Sequence, residues 1–308
     1  MKQDTRLFYV RIVLAAAEHI VRGMDEALDL DALAHQAALS PLHFHRIFRG
    51  MLGETPLELH RRLRLERAAW RLAHSHERVT SIAFEAGYET HESFTRAFRE
   101  AFAASPSEFR DRARRSRSQC TPSPRTELAA RSGVHFREPA DAELRWDFAR
   151  GGADMQVEIE TLPERRVAAV SHVGPYNTIS EAFARLGAIV HPAGLLAHPG
   201  VAMVAICHDD PETKPAAELR ADAGLVVPSG VALPEPLHEL RLPAGRYART
   251  THAGPYDGLG DTWANFLGRW LPESGERLGN GVMFELYRNT PENAAQPDLR
   301  TDLYLSIA

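Results

Sequence analysis

The spacing of hydrophobic residues divides the chain into three regions. Over residues 5–110 apolar positions recur every three to four residues, with few glycines and only three prolines, and this spacing predicts amphipathic helices. Ser, Pro and Arg then dominate residues 113–133, where no apolar period is sustained, as is typical of a linker. From about residue 155 the apolar residues form short, alternating or β-branched runs bounded by Pro and Gly, which predict strands.

Two helical stretches interrupt these strands, near residues 177–190 and 258–271. We therefore predict an N-terminal all-α domain followed by an α+β domain. The predicted boundaries are 5–112 for the first domain, 113–152 for the linker and 153–308 for the second domain.

The helical region contains a short internal repeat. Residues 44–49 read FHRIFR and residues 94–99 read FTRAFR, at an offset of 50. A short apolar-Ala helical pattern precedes each copy, in residues 33–39 and 82–88. A serine-proline pair before the first copy and a threonine before the second provide helix N-caps. Each copy therefore predicts a short helix, a turn and a second helix, which is a helix-turn-helix.

The second helix of each unit has an apolar and a polar face. Its two phenylalanines are spaced i,i+4 and point inward, so the other face is available to enter a DNA major groove. A plain helical bundle with solvated charged faces has the same periodicity, but the matched caps and the repeat favour the helix-turn-helix. The candidate DNA-binding residues lie on the outward faces: Leu42, His43, His45, Arg46 and Arg49, then His91, Glu92, Thr95, Arg96 and Arg99.

Residues 7–112 resemble the DNA-binding domain of the AraC/XylS family of transcription regulators. The resemblance rests on both copies of the repeat, on the connecting segment HRRLRLERAAWRLAHS and on the closing segment SPSEFR. It implies two helix-turn-helix units joined by a long helix, with bases read near the start of each recognition helix. The base readers would be Leu42, His45, Arg46, His91, Glu92 and Arg96, and the phosphate-facing or structural residues would be Arg49, Thr95 and Arg99.

Two of these residues have specific chemistry. Arginine is the usual reader of guanine O6 and N7, which suits Arg96 and its counterpart Arg46. Two roles are open for Glu92, which can accept a hydrogen bond from cytosine N4 or orient Arg96 one turn later.

A second repeat lies in the C-terminal half. Residues 172–176 read HVGPY and residues 252–256 read HAGPY, at an offset of 80, and the flanking segments also match. Each copy reads as strand, Gly-Pro turn, helix, strand, loop and strand. Two copies predict a pseudo-twofold α+β domain with an antiparallel sheet and a central cleft, and such junctions are favoured places for ligand sites.

Residues 155–308 resemble the GyrI-like effector-binding domain. The resemblance rests on both HxGPY segments and on PAAELRADAG, GRYA and FELYRNTP. It implies an aromatic cleft with a buried glutamate that attracts cationic lipophilic compounds, and Glu285 is the matching glutamate.

The residues around Glu285 agree with that role. In the alternating segment MFELY, Met283 and Tyr287 lie on the same face as Glu285. The remaining candidate walls of the ligand site are Tyr176, Tyr256 and Trp263, and aromatic rings beside a carboxylate suit a cation. Two alternatives are open: a solvated acid on an edge strand for Glu285, and plain core packing for Trp263 and Tyr176.

Charge differs between the halves. The net charge of −5 divides into +3 over residues 1–118 and −8 over residues 153–308, which indicates two binding surfaces of opposite sign. The two cysteines, Cys120 and Cys207, form neither a disulfide framework nor a metal site. We expect no bound metal, no cofactor, no signal peptide and no membrane association, and therefore a cytoplasmic location.

These observations predict a transcription regulator with double-stranded DNA, a small-molecule effector and RNA polymerase as partners. We expect no catalytic residues and no enzyme activity. Two other functions are open for the C-terminal domain. It could hydrolyse a reactive small molecule with Glu285 and a neighbouring tyrosine or tryptophan, as some GyrI-like proteins do, or it could dock a protein partner.

Overall fold

The computed structural model describes residues 2–119, 123–136, 155–209, 211 and 214–308. The chain divides into two compact units. The first comprises residues 1–10, 34–50 and 151–308, and the second comprises residues 11–33 and 51–150. Parts of the predicted linker, residues 120–122 and 137–152, lie outside the described residues, as does Cys120.

The described N-terminal region up to residue 119 is helical, which confirms the all-α prediction. Its helices are α1 (Lys2–Arg22), α2 (Leu30–Gln36), α3 (Pro41–Leu52), α4 (Pro56–His74), α5 (Val79–Glu85), α6 (His91–Phe102) and α7 (Pro106–Ser118).

The predicted caps begin both recognition helices, α3 and α6. The Ser40 hydroxyl accepts a hydrogen bond from the backbone N–H of His43 at 3.2 Å. The Thr90 hydroxyl accepts one from the backbone N–H of Ser93 at 3.1 Å. Each bond satisfies an N–H that the first turn of a helix leaves without an internal partner.

Helices α4 to α7 share one apolar core within the second unit. Phe94 and Phe98 on the inward stripe of α6 are fully buried, and they pack with Leu72, Ala83 and Phe109. The inward direction predicted for the second pair of phenylalanines is therefore confirmed.

The described part of the linker, residues 123–136, is anchored to α4. Glu66 on α4 is 1% exposed, and its carboxylate accepts hydrogen bonds from the backbone N–H groups of Leu128 and Phe136, both at 2.9 Å. Arg62, one turn earlier, pairs with Glu66 and donates to the carbonyl of Val134. The hydrogen bonds of a buried carboxylate thus fix a segment whose composition is otherwise typical of a mobile linker.

The C-terminal domain is built on one antiparallel sheet of eight strands. The strands are β1 (Val157–Leu162), β2 (Arg165–Val173), β3 (Met203–Cys207), β4 (Arg220–Val227), β5 (His238–Leu242), β6 (Gly245–Ala253), β7 (Phe284–Tyr287) and β8 (Arg300–Ile307). The helices are α8 (Ser180–Val190), α9 (Leu259–Asn265) and α10 (Leu271–Ser274), and one π-helical segment, Phe266–Trp270, connects α9 to α10.

The order of the strands follows the 80-residue repeat, with one exchange. The sheet runs β1-β6-β8-β7-β3-β4-β2-β5, so its two halves meet where β3 pairs with β7. The first strand of each copy lies in the other copy's half, because β1 pairs with β6 and β5 pairs with β2. The predicted pseudo-twofold α+β architecture is confirmed, and the exchange of β1 and β5 was not predicted.

Alternation along the central strands gives the sheet two different faces. Phe284 on β7 packs in the apolar cluster of one face, with Val204, Tyr247 and Tyr304. The other face of β2 and β4 packs against α8, through residues such as Leu186 and Leu225. Because side chains alternate along a strand, Glu285 and Tyr287 lie on the face opposite to Phe284.

Candidate functional site

Glu285 lies near the centre of the sheet. Strand β7 is hydrogen-bonded to β3 on one side and to β8 on the other, and Glu285 is 8% exposed. The alternative of a solvated acid on an edge strand is therefore wrong. The sequence could not exclude this alternative, because the four residues FELY do not show whether their strand pairs with another strand on one side or on both.

Two uncharged donors hold the Glu285 carboxylate. The Trp263 indole N–H donates to Oε1 at 2.7 Å, and the Tyr287 hydroxyl donates to Oε2 at 2.9 Å. Burial and the negative charge of Glu285 raise the pKa of Tyr287 well above its usual value, so this phenol stays protonated as a donor. These hydrogen bonds orient the carboxylate without supplying a positive charge to balance it.

Aromatic rings surround this pair. The Tyr287 ring meets Tyr256 edge to face, with ring centroids 5.3 Å apart, and meets Phe183 in the same way at 5.4 Å. Trp263 is 2% exposed. We call these five residues, Glu285, Tyr287, Trp263, Tyr256 and Phe183, the Glu285 site.

Tyr176 and Met283 are placed less centrally. The Tyr176 hydroxyl donates to the backbone carbonyl of Asp209 at 2.7 Å and so helps to hold the loop before β4. Met283 is buried and immediately precedes β7. A role in ligand binding for these two residues stays a prediction.

Sequence reasoning missed Phe183 and did not place Cys207 near Glu285. Burial and the negative charge of Glu285 raise the pKa of the Cys207 thiol to about 12, against a smaller lowering by Arg46. The repeat held the signal for both residues: at the offset of 80, Phe183 is the counterpart of Trp263 and Cys207 is the counterpart of Tyr287.

The same offset shows that the two halves are chemically different. The counterpart of Glu285 is Ala205, and the two are directly paired in the sheet. The junction of the two halves therefore has a carboxylate from one copy and a methyl group from the other. A ligand with one positive charge and a large apolar body fits that asymmetry.

Helix α3 contributes two arginines to the first unit. The guanidinium carbon of Arg46 lies 4.6 Å from the centroid of the Trp263 ring, which is cation–π geometry. Arg49 forms an ion pair with Asp261 on α9, with an N–O distance of 2.6 Å. Leu42 and His45 on the same helix are 7% and 6% exposed, so the solvent-facing position predicted for these two residues is wrong.

Helix α6 presents its corresponding face to solvent. His91, Glu92, Arg96 and Arg99 are exposed, and Thr95 is half-buried. The outward face predicted for α6 is therefore exposed to solvent. In α3, by contrast, other residues of the first unit cover much of the corresponding face. The DNA contacts of both helices stay predictions.

No group of three or more His, Cys, Asp or Glu residues suited to holding a metal ion occurs among the residues that the structure describes. Within the same residues, no helix has the length and apolar character needed to cross a membrane.

Two family models match the chain. That of the GyrI-like small molecule binding domain matches residues 155–308, half of the chain, and that of a helix-turn-helix domain matches residues 33–112. These two ranges include all residues of the Glu285 site and both recognition helices.

Similar proteins divide along the same lines. A DNA gyrase inhibitor of Yersinia enterocolitica is 33% identical over 154 residues, which cover 48% of this chain and 94% of that protein. The regulatory protein SoxS of Salmonella typhimurium is 31% identical over 102 residues, which cover 33% of this chain and 95% of that protein.

Among solved structures, the C-terminal domain of EcmrR aligns with a TM-score of 0.40 at 17% identity, covering 51% of this chain and 99% of that chain. The family assignment rests on the family models and the sequence relatives. The chain belongs to the ligand-sensing transcription regulators that combine an AraC-type helix-turn-helix domain with a GyrI-like small molecule binding domain.

Proposed function

We propose that the effector of this regulator is a lipophilic cation and that it binds at the Glu285 site. The observation that carries the proposal is a buried carboxylate with two uncharged hydrogen-bond donors and aromatic rings around it. A cation with a large apolar body gains from both parts of this arrangement, through the charge of Glu285 and the π faces of the rings.

The cost of burying Glu285 supports this proposal. Burying a carboxylate is costly, and the two hydrogen bonds that Glu285 accepts come from neutral groups, which offset only part of that cost. An arriving cation offsets more, because Coulomb attraction is strong where water is excluded. A site of this kind therefore discriminates by charge as well as by shape.

We propose that the ligand is bound and not chemically changed. Hydrolysis needs a carboxylate that can take a proton from water. Here each oxygen of Glu285 already accepts a hydrogen bond from a fixed side chain. Both bonds compete with a water molecule for the carboxylate oxygens, and the turnover measurement described below distinguishes a sensor from a hydrolase.

We propose further that α3 and α6 read DNA with the outward residues identified above, foremost Arg46 and Arg96. Binding of the effector then alters DNA affinity or a contact with RNA polymerase. Because a chromosome-binding regulator works where the DNA is, we place the protein in the cytoplasm.

The test of the ligand proposal uses rhodamine 6G, a lipophilic cation, with the full-length chain. We expect binding by fluorescence anisotropy, and we expect Glu285→Gln to weaken it at least about tenfold, or about 1.4 kcal/mol. Glutamine is almost isosteric with glutamate, so the substitution removes the charge with little change in shape.

Two controls accompany this test. Glu181→Gln removes an exposed carboxylate from α8, and we expect the affinity for rhodamine 6G to stay as in the wild type. Fluorescein, an anion with a similar ring system, should not bind. Equal affinity of wild type and Glu285→Gln for the cation would contradict the proposed site, and turnover of the bound compound would contradict the sensor.

A further inference from the structure

The two recognition helices use matching arginines differently. Arg46 and Arg49 in α3 correspond to Arg96 and Arg99 in α6 at the offset of 50. The α6 arginines are exposed. In α3, Arg46 lies over the Trp263 ring and Arg49 is paired with Asp261, all four residues belonging to the first unit.

The indole under Arg46 is the one that binds Glu285. Trp263 donates its N–H to the carboxylate at 2.7 Å while its ring faces the guanidinium. Burial raises the pKa values of Tyr176 and Cys207, and the charge of Arg46 lowers both, as expected for a positive charge close to these groups. A planar, delocalised cation of the chain thus stacks on a ring of the site proposed for a cationic ligand.

Close backbone packing accompanies the arginine contacts. A Cβ atom on Gly50, in the last turn of α3, would lie 1.9 Å from the carbonyl oxygen of Ala264 and 2.7 Å from the Cα of Gly268. Only glycine permits this approach. The position that corresponds to Gly50 in the second copy is Glu100, on the exposed face of α6.

We propose that Arg46 is an internal ligand of the Glu285 site, so that an effector cation and helix α3 exclude each other from it. This inference rests on the proposed function for the nature of the effector. A guanidinium that covers Trp263 is not available to a guanine base, so the structure described here is a form in which α3 does not read DNA. An effector that displaces Arg46 releases α3 and strengthens specific DNA binding.

The coupling is reciprocal. Both the effector and DNA bind the form in which α3 does not occupy the Glu285 site. The effector therefore raises the affinity for DNA by some factor, and DNA raises the affinity for the effector by the same factor. The size of this factor depends on the fraction of molecules in which Arg46 occupies the site when neither effector nor DNA is bound.

The first experiment measures rhodamine 6G binding to the full-length chain and to Arg46→Ala. If the site is about nine-tenths occupied by Arg46, its removal raises the affinity about tenfold. Arg112→Ala removes an exposed arginine of α7 and should leave the affinity as in the wild type. Equal binding by wild type and Arg46→Ala would overturn the internal-ligand proposal and leave the cation site itself intact.

The second experiment needs no ligand. Gly50→Ala introduces the Cβ that the contact with Ala264 and Gly268 does not admit, and alanine is otherwise the better helix former. We expect faster amide hydrogen exchange in residues 41–50 of the full-length chain than in the wild type. Gly187→Ala, at a helical glycine with open space around it, is the matched control and should leave exchange in α3 unchanged.

The two experiments separate the two proposals. The same exchange measurement is made on Trp263→Phe, which replaces the indole under Arg46 with a smaller ring. If no variant binds the dye but exchange in α3 is faster in both Gly50→Ala and Trp263→Phe, the proposed effector class is wrong and the occupation of the site by Arg46 stands. If amide hydrogen exchange in α3 is the same in both variants as in the wild type, Arg46 does not occupy the Glu285 site, and this conclusion does not depend on dye binding.

Discussion

At the scale of single residues, the two copies of the C-terminal repeat use different side chains to bind the backbone at the start of their last strand. Asn289 accepts a hydrogen bond from the backbone N–H of Arg300 at 2.7 Å. At the corresponding position, Asp209 accepts one from the backbone N–H of Arg220 at 2.9 Å and also pairs with the side chains of Arg220 and Lys214. Hydrogen bonds from Arg220 first, and from Lys214 next, hold the pKa of Asp209 well below its usual value.

This difference predicts the effect of Asp209→Asn. Asparagine keeps the backbone bond and loses the charge-assisted ones, so we expect the free energy of unfolding at pH 7 to fall by about 1–2 kcal/mol. A depressed carboxyl pKa stabilises the folded state above the unfolded value of about 4, and this contribution is lost as the pH falls through the lower folded value. The gap between the two proteins, measured by urea unfolding, should therefore narrow below about pH 4.

The control for this measurement is Glu292→Gln, which removes an exposed acid from the loop of the other copy. It should leave the unfolding free energy within about 0.5 kcal/mol of the wild type. If the difference in unfolding free energy between Asp209→Asn and the wild type stays constant from pH 7 to pH 3, the charge of Asp209 contributes nothing to stability.

At the scale of elements, the recognition helices share a sequence pattern but not an environment. Both begin at predicted caps, and both turn a pair of phenylalanines inward. Local sequence fixes these features because a cap and an i,i+4 stripe depend on residues a few positions apart. The exposure of the outward face depends on what packs against it, and there α3 and α6 differ.

Helix α6 therefore gives the simpler test of base reading. The probe is a duplex selected from random DNA by the full-length chain. We expect Arg96→Ala to weaken binding to this duplex by about 1–3 kcal/mol and binding to random duplex far less, since a bidentate arginine–guanine contact discriminates by that amount. A gel-shift titration measures both affinities at one salt concentration, and an equal loss on both duplexes would assign Arg96 to the phosphates instead.

At the scale of the whole molecule, the sheet binds the two C-terminal copies into one domain. The β1 strand completes the half that contains β6 and β8, and β5 completes the half that contains β2 and β4. The central β3–β7 pair then joins the halves. Neither copy holds all the strands of its own half, so the repeat in sequence does not correspond to two independent folding units.

Division of the domain into residues 155–232 and 233–308 tests this directly. We expect neither fragment to fold as a monomer, because each would leave an unpaired edge on its longest strand. Mixing them should restore the circular dichroism spectrum of the intact domain in a complex that sediments as one species. A single fragment that folds as a monomer would contradict the importance of the exchange.

The sequence alone determined the features that depend on local order. Offsets of 50 and 80 residues predicted both pairs of structural units, hydrophobic spacing distinguished helices from strands, and alternation placed Tyr287 on the same face as Glu285. Each of these inferences uses positions that are neighbours in the chain or copies of one another, so periodicity and repetition are enough.

Only the tertiary structure decided the rest. It placed β7 at the centre of the sheet, exchanged β1 and β5, and set Arg46 against Trp263, more than 200 positions away in the sequence. Strand order and such contacts arise from competition among many long-range pairings, which leave no period in the sequence. The position of Tyr287 beside Glu285 thus followed from alternation along the strand, whereas the depth of Glu285 in the sheet and the arginine stacked on its tryptophan partner did not.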